Sequence, residues 1–243
     1  MSCIITYKGK QYSEQQFKEY FSNNKNDFAT AIAKNKDVID SFKRKMEAID
    51  SIFKDSPELA SIGSKSQYIQ YLSTIFPDSK VKDIVYHGAN EPIEGDKFTK
   101  RKGATGGGIW FSGSKRYATG VMNSAPQSES LMGRKLRGAP TMYQVLLNIK
   151  NPAHFYNSSG ALLAQSSERF LAGQIEEYRL HGNKQYDKNV NDGVLFHHPN
   201  SKKPADRDSA EQVVVFEPEQ IHILGSKQDI ENFQKFVGKE NKN

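Results

Sequence analysis

The hydrophobic period of this chain changes once, at Pro77-Asp78-Ser79, and that change constrains the fold more than any other feature. Before it, Val38, Ile39, Phe42, Met46, Ile49 and Phe53 recur every three or four positions. That spacing builds one apolar stripe and predicts a helix from about Lys36 to Phe53. A further helix is expected from about Ser66 to Ile75, with Tyr68, Tyr71 and Leu72 inward. Ahead of these, Ile4 to Tyr12 around Lys8-Gly9-Lys10 reads as a short hairpin. Ser13 with Gln16 forms the pattern of a capping box, opening a helix through about Phe21. No catalytic constellation lies in this stretch, and its plainest reading is a packing or docking module.

After Ser79, short β-type runs alternate with polar or glycine-rich stretches. Strands are expected at Ile84 to His87, at Ile109 to Phe111, and at Tyr143 to Ile149, the last stopped by Asn151-Pro152. Three more are expected at Gly193 to Phe196, Val213 to Phe216 and Ile221 to Leu224. Helical patterns occupy Lys115 to Met122 for a turn or two, Gly160 to Leu180, and Ile230 to Val237. Strands and helices come in runs, so an α+β fold fits better than a doubly wound parallel sheet. The division expected is 1–79, a helical segment with a hairpin, and 80–243, a mixed domain.

The formal charge of +6 is unevenly spread. Nine lysines and arginines lie between Lys97 and Arg137, with Glu129 the single acid among them. Such a field favours an anionic ligand, a nucleic acid or an acidic partner, although a solvated loop has the same composition. No apolar run approaches the roughly 20 residues of a membrane-spanning helix, and Met1 to Thr6 lacks the pattern of a secretory signal. Cys3 is the single cysteine, which rules out an internal disulfide and a thiolate-rich metal site. The expected location is cytoplasmic.

Most familiar catalytic signatures are missing. Gly106-Gly107-Gly108 lets a ligand or a strand approach the backbone closely. It lacks both the Gly-Lys-Ser/Thr of a phosphate loop and the spacing of a dinucleotide-binding turn. There is no HExxH helix and no Gly-x-Ser-x-Gly elbow. His197 and His198 are adjacent, so in an extended chain they face opposite sides and chelate poorly.

Five short pieces in order say more than any one of them. They are Val85-Tyr86-His87-Gly88-Ala89, Gly107-Gly108-Ile109-Trp110-Phe111-Ser112, Gln144 through Pro152, Asp192-Gly193-Val194-Leu195, and Glu211 through Ile221. The series resembles the ADP-ribosyltransferase superfamily, in the branch of diphtheria toxin and the poly-ADP-ribose polymerases. It is most similar to the ADP-ribosyltransferase domains of polyvalent proteins of phages and mobile elements. The resemblance spans roughly Val81 to Leu224. It implies a split antiparallel sheet, with NAD as substrate and no metal.

The resemblance also implies roles for individual residues. His87 matches the histidine that binds the adenosine-side ribose, and Gly88 the residue whose backbone holds the nicotinamide amide. Trp110 falls where a tyrosine usually flanks the nicotinamide ring, with Gly107, Gly108 and Phe111 beside it. Stacking on a flat aromatic is favourable by roughly 0.5–1.5 kcal/mol. The family's second stacking tyrosine would fall at Val121, and Tyr117, one helical turn earlier, is the available substitute. The catalytic position falls on Gln212, not on Glu211, and the two face opposite sides of a strand.

The implied reaction cleaves the nicotinamide–ribose bond through an oxocarbenium-like transition state, as in glycoside hydrolysis. A glutamine can hydrogen-bond a hydroxyl but carries no charge and cannot act as a general base. It would therefore be slow, require an already nucleophilic acceptor, or borrow a carboxylate from Glu217, Asp206 or Asp208. Mono-ADP-ribosylation of a host protein or nucleic acid by a phage or mobile-element product is the expectation. The alternatives are an inactive module on the same fold and a nucleic-acid-binding protein. The discriminating feature is whether His87, Trp110 and Gln212 line one cleft.

Overall fold

The computed structural model describes residues 4–7, 10–13, 16, 19, 36–99, 108–130, 139–156, 187, 189–197 and 212–240. The helix expected over 160–180, Gly106, Gly107, His198, Glu211 and the 201–210 loop lie outside the described residues.

The N-terminal elements follow their local signals. Strands β1 (Ile4–Tyr7) and β2 (Lys10–Ser13) form the antiparallel hairpin. Gln16 N–H donates to Ser13 Oγ at 3.1 Å, and Ser13 N–H donates to Gln16 Oε1 at 2.9 Å, which is the capping box. Helix α1 (Lys36–Asp55) buries Ile39, Ala48, Ile49 and Ile52 along one stripe. Helix α2 (Glu58–Ile62) is short, and α3 (Lys65–Thr74) opens on a second capping box, Ser64 with Gln67.

Seven strands form the main sheet: β3 (Val85–Ala89), β4 (Ile109–Ser112), β5 (Thr141–Leu147), β6 (Pro152–Tyr156), β7 (Gly193–His197), β8 (Gln212–Val215) and β9 (Ile221–Ile223). Their spatial order is β6-β7-β8-β4-β3-β5-β9. All neighbours are antiparallel except β6 and β7, so the α+β expectation holds. Pro152 does not merely end a strand: it opens β6. Its missing N–H is tolerated because it is the first residue of a strand at the sheet edge. Helix α4 (Lys115–Ser130) runs well past Met122, through Pro126. Helix α5 (Lys227–Glu240) follows β9 and is longer than its apolar core of Ile230 to Val237.

Alternation along the strands sorts the side chains between two faces. One carries Val85, Ile109, Phe111, Tyr143, Val145, Leu147, Val213 and Val215, which form a single apolar cluster capped by Phe98. The opposite face is divided. Toward β6 and β7 it holds Ala153, Val194, Phe196 and Val214 with Trp110. Toward β5 and β9, Leu146 joins the helical core of Ile49, Leu59, Tyr68, Leu72 and Phe233. The helices before Ser79 and α5 thus share one core.

A carboxylate sits inside that core. Asp229 on α5 is fully buried. Its Oδ2 accepts from Tyr68 O–H at 2.5 Å and Gly225 N–H at 2.8 Å. Its Oδ1 accepts from Tyr71 O–H at 3.0 Å and lies 2.7 Å from His222 Nε2. A buried charge is tolerated only when its lone pairs are taken in this way. The network therefore bolts α3 to α5 and β9. Nearer β3, Ser41 on α1 donates to Asp83 at 2.6 Å.

Replacing Asp229 with alanine strips an acceptor from two phenols, an amide and an imidazole. The expected loss is about 3–5 kcal/mol of unfolding free energy, read by urea denaturation; a loss below about 1 kcal/mol would show that the network does not tie the helices. Burial, followed by the Asp229 charge, pushes the phenols of Tyr68 and Tyr71 well above their usual 10. The unfolded chain releases those protons near 10 while the fold retains them, so stability is full below that pH and falls as pH rises beyond it. Thermal melts should therefore drop steeply above about pH 10, and less steeply in Tyr68→Phe.

Candidate active site

The β3–β4 junction is where the sheet opens. β3 pairs with β5 at five positions and β4 pairs with β8 at four. Between β3 and β4 a single register remains, Tyr86 with Ser112. Beyond it the backbone ladder is replaced by a side chain: His87 Nδ1 lies 2.7 Å from the Trp110 carbonyl oxygen. A carbonyl only accepts, so Nδ1 carries a proton, and in a neutral ring Nε2 is then the acceptor nitrogen. The imidazole is half-buried, edge-on to Phe98 at 5.0 Å and tilted against Phe111 at 5.6 Å. Those rings hold its plane.

Gly88, the next residue, turns to the other face and meets α4. A Cβ built there would sit 2.1 Å from the Ala118 carbonyl oxygen and 3.0 Å from Met122 Cβ. The backbones approach so closely that only glycine fits. The start of α4 is set by Ser114, whose Oγ accepts from Tyr117 N–H at 3.3 Å, while Ser114 N–H donates to Ser112 Oγ at 3.0 Å. The cap satisfies an amide at the first turn, and it fixes the rotation that aims Tyr117 across β4.

Tyr117 reaches Gln212. Gln212 is only 4% exposed, and its Nε2 donates to Tyr117 Oη at 2.8 Å. Its Oε1 is buried and has no hydrogen-bond partner among the described residues. An orphaned acceptor of this kind costs about 1–3 kcal/mol and calls for an explanation. Gln212 is the register partner of Ser112 on one side and of Phe196 on the other.

The expected site residues therefore fall into two groups about one gap. Strands β3, β4 and β8 are adjacent through β4, but the side chain of His87 lies on the opposite face of the sheet from the Trp110 indole and Gln212, so the three side chains do not line one shared face. The imidazole of His87 shares its face with Phe111 and meets the backbone of Trp110, not its indole. The indole leaves on the opposite face and stacks on Phe196 at 5.5 Å and 8°. Gln212 and Tyr117 occupy that same face and touch. Gly108 is buried at the entry to β4, and Gly107 lies outside the described residues. Val121 is half-buried. Glu217 lies beyond the end of β8, where its N–H donates to Gln220 Oε1 at 3.0 Å. Asp206 and Asp208 lie outside the described residues.

Sequence reasoning missed Phe98, Ser112, Ser114 and Phe196. Ser114, three residues before Tyr117, carried a readable helix-capping signal. Phe98 and Phe196 carried none, because their partners are distant in the chain.

A mostly antiparallel sheet that opens between two central strands is consistent with the ADP-ribosyltransferase fold. A family model described as ADP-ribosyltransferase in polyvalent proteins matches residues 82–230, from just before β3 into α5. The chain belongs to that family. No curated protein and no solved structure matches it.

Replacing Gly88 with alanine should force α4 away from β3. The expected cost is about 1–3 kcal/mol from overpacking against backbone that cannot rotate aside, seen as a lowered melting temperature. An unchanged melt would contradict the close contact.

Proposed function

We propose that this chain is an NAD-dependent mono-ADP-ribosyltransferase, encoded by a phage or mobile element, that acts on a macromolecule in the host cytoplasm. The observation that carries the reading is the buried Gln212 Oε1, without a hydrogen-bond partner among the described residues, at the family's catalytic position in a chain of this family. A buried acceptor with no donor among the described residues suits a ligand hydroxyl.

NAD supplies the nicotinamide–ribose bond that the reaction breaks. The chain's residues bind and orient. His87 is held by the Trp110 carbonyl so that Nε2 is its acceptor, which suits a ribose hydroxyl. Gly88 lends its backbone without a side chain in the way. Gln212 accepts from a sugar hydroxyl but adds no negative charge as positive charge develops on the ribose. That missing charge argues for a slow enzyme whose acceptor is already nucleophilic. It suits transfer of a single ADP-ribose better than chain extension. Lys97, Lys115 and Arg116 are exposed members of the basic window and suit an anionic acceptor, nucleic acid included.

The same glutamine supports a second reading, a binding module with little turnover. The two separate by measurement. Under the first, Gln212→Glu should raise nicotinamide release by about tenfold or more by restoring a charge, and Gln212→Ala should lower it. Release is followed chromatographically, with labelled NAD reporting transfer to host extract. No release from either wild type or Gln212→Glu, with NAD binding by calorimetry retained, would leave the binding module. Binding absent as well would remove NAD altogether.

A further inference from the structure

We propose that Tyr117 is the positioning residue for Gln212 and acts through its hydroxyl, not through its ring. The inference rests on the transferase reading for its kinetic consequence and on geometry alone for the contact itself.

The contact belongs to a closed circuit. Gln212 pairs with Ser112 across β8 and β4. Ser112 Oγ accepts from Ser114 N–H, and Ser114 Oγ accepts from Tyr117 N–H. Tyr117 Oη then accepts from Gln212 Nε2 at 2.8 Å. The first turn of α4 is also pressed on β3 at Gly88. Each link limits the next, so the phenol reaches the carboxamide from a fixed direction.

A carboxamide has one donor end and one acceptor end. With Nε2 committed to Tyr117, Oε1 is the end left for a ligand, and it is the buried atom with no partner among the described residues. Without the phenol, the flat group can rotate and present its NH2 where an acceptor is needed. The hydroxyl also serves a carboxylate: in Gln212→Glu the same Tyr117 O–H would donate to it. A residue used for its ring would survive loss of that hydroxyl, and one used for its hydroxyl would not.

Tyr117→Phe, which keeps the ring, separates the two. Expected is a fall in kcat for nicotinamide release of about tenfold, the effect of losing one oriented contact, with KM for NAD unchanged. The effect should vanish in a Gln212→Ala background and shrink in Gln212→Glu, whose carboxylate presents an acceptor whichever way it turns. A rise in KM for Tyr117→Ala, with Tyr117→Phe behaving as wild type, would show a stacking ring and overturn the proposal. The contact itself has a readout that needs no turnover. The Gln212 side-chain amide signal, assigned by its loss in Gln212→Ala, should shift and exchange faster in Tyr117→Phe. An unmoved signal overturns the proposal even in an active enzyme. A moved signal in an enzyme that releases no nicotinamide upholds the contact while the transferase reading fails.

Discussion

The hydrogen-bond ladder between β3 and β4 ends after the Tyr86–Ser112 register, and the rest of the site depends on that ending. A continuous ladder would leave no gap, and the backbone groups of both strands would satisfy one another. The early stop leaves the Trp110 carbonyl needing a donor, since a buried backbone acceptor without one is costly. His87 Nδ1 provides it. One interaction thus stabilises the opened sheet and fixes which nitrogen of the histidine is left as the acceptor.

Two supports keep the strands from closing or drifting. On one face, α4 lies against Gly88 so closely that a methyl group would strike the Ala118 carbonyl, and its capped first turn carries Tyr117 to Gln212. On the other face, Phe98, Phe111 and Tyr143 pack edge to face and hold the imidazole. Behind β5 and β9, the helices from both ends of the chain close over Asp229. The N-terminal helices therefore stiffen the side of the sheet from which β3 emerges. This is a structural role for a segment whose sequence shows no chemistry.

Much of the architecture was legible because its causes are local. The stripe from Ile39 to Phe53, the Ser13–Gln16 box and the short β-branched runs each state their geometry within a few residues. What the sequence offered of a site was the order of His87, Gly88 and Gln212 along the chain, which led to the family that residues 82–230 match. The tryptophan was read as a surface for a ligand ring. In the fold its indole stacks on Phe196, a residue 86 positions away that no local pattern points to. Tyr117 was also read for its ring, and in the fold its hydroxyl accepts from Gln212. Pro152 was read as a stop, because its meaning depends on whether the strand it opens lies at an edge.

By itself the sequence determined the kinds of elements, their order, and the chemical identity of the groups available to the site. Periodicity, capping and β-branching act over a few residues, so they survive reading one residue after another. Only the tertiary structure decided which side of the sheet each group occupies, where the β3–β4 ladder breaks, and that Gln212 is held at its amide end by Tyr117 while its oxygen has no partner among the described residues. Those outcomes come from register and close packing between strands far apart in the chain. A shift of one residue in that register would exchange the faces and leave every local pattern unchanged.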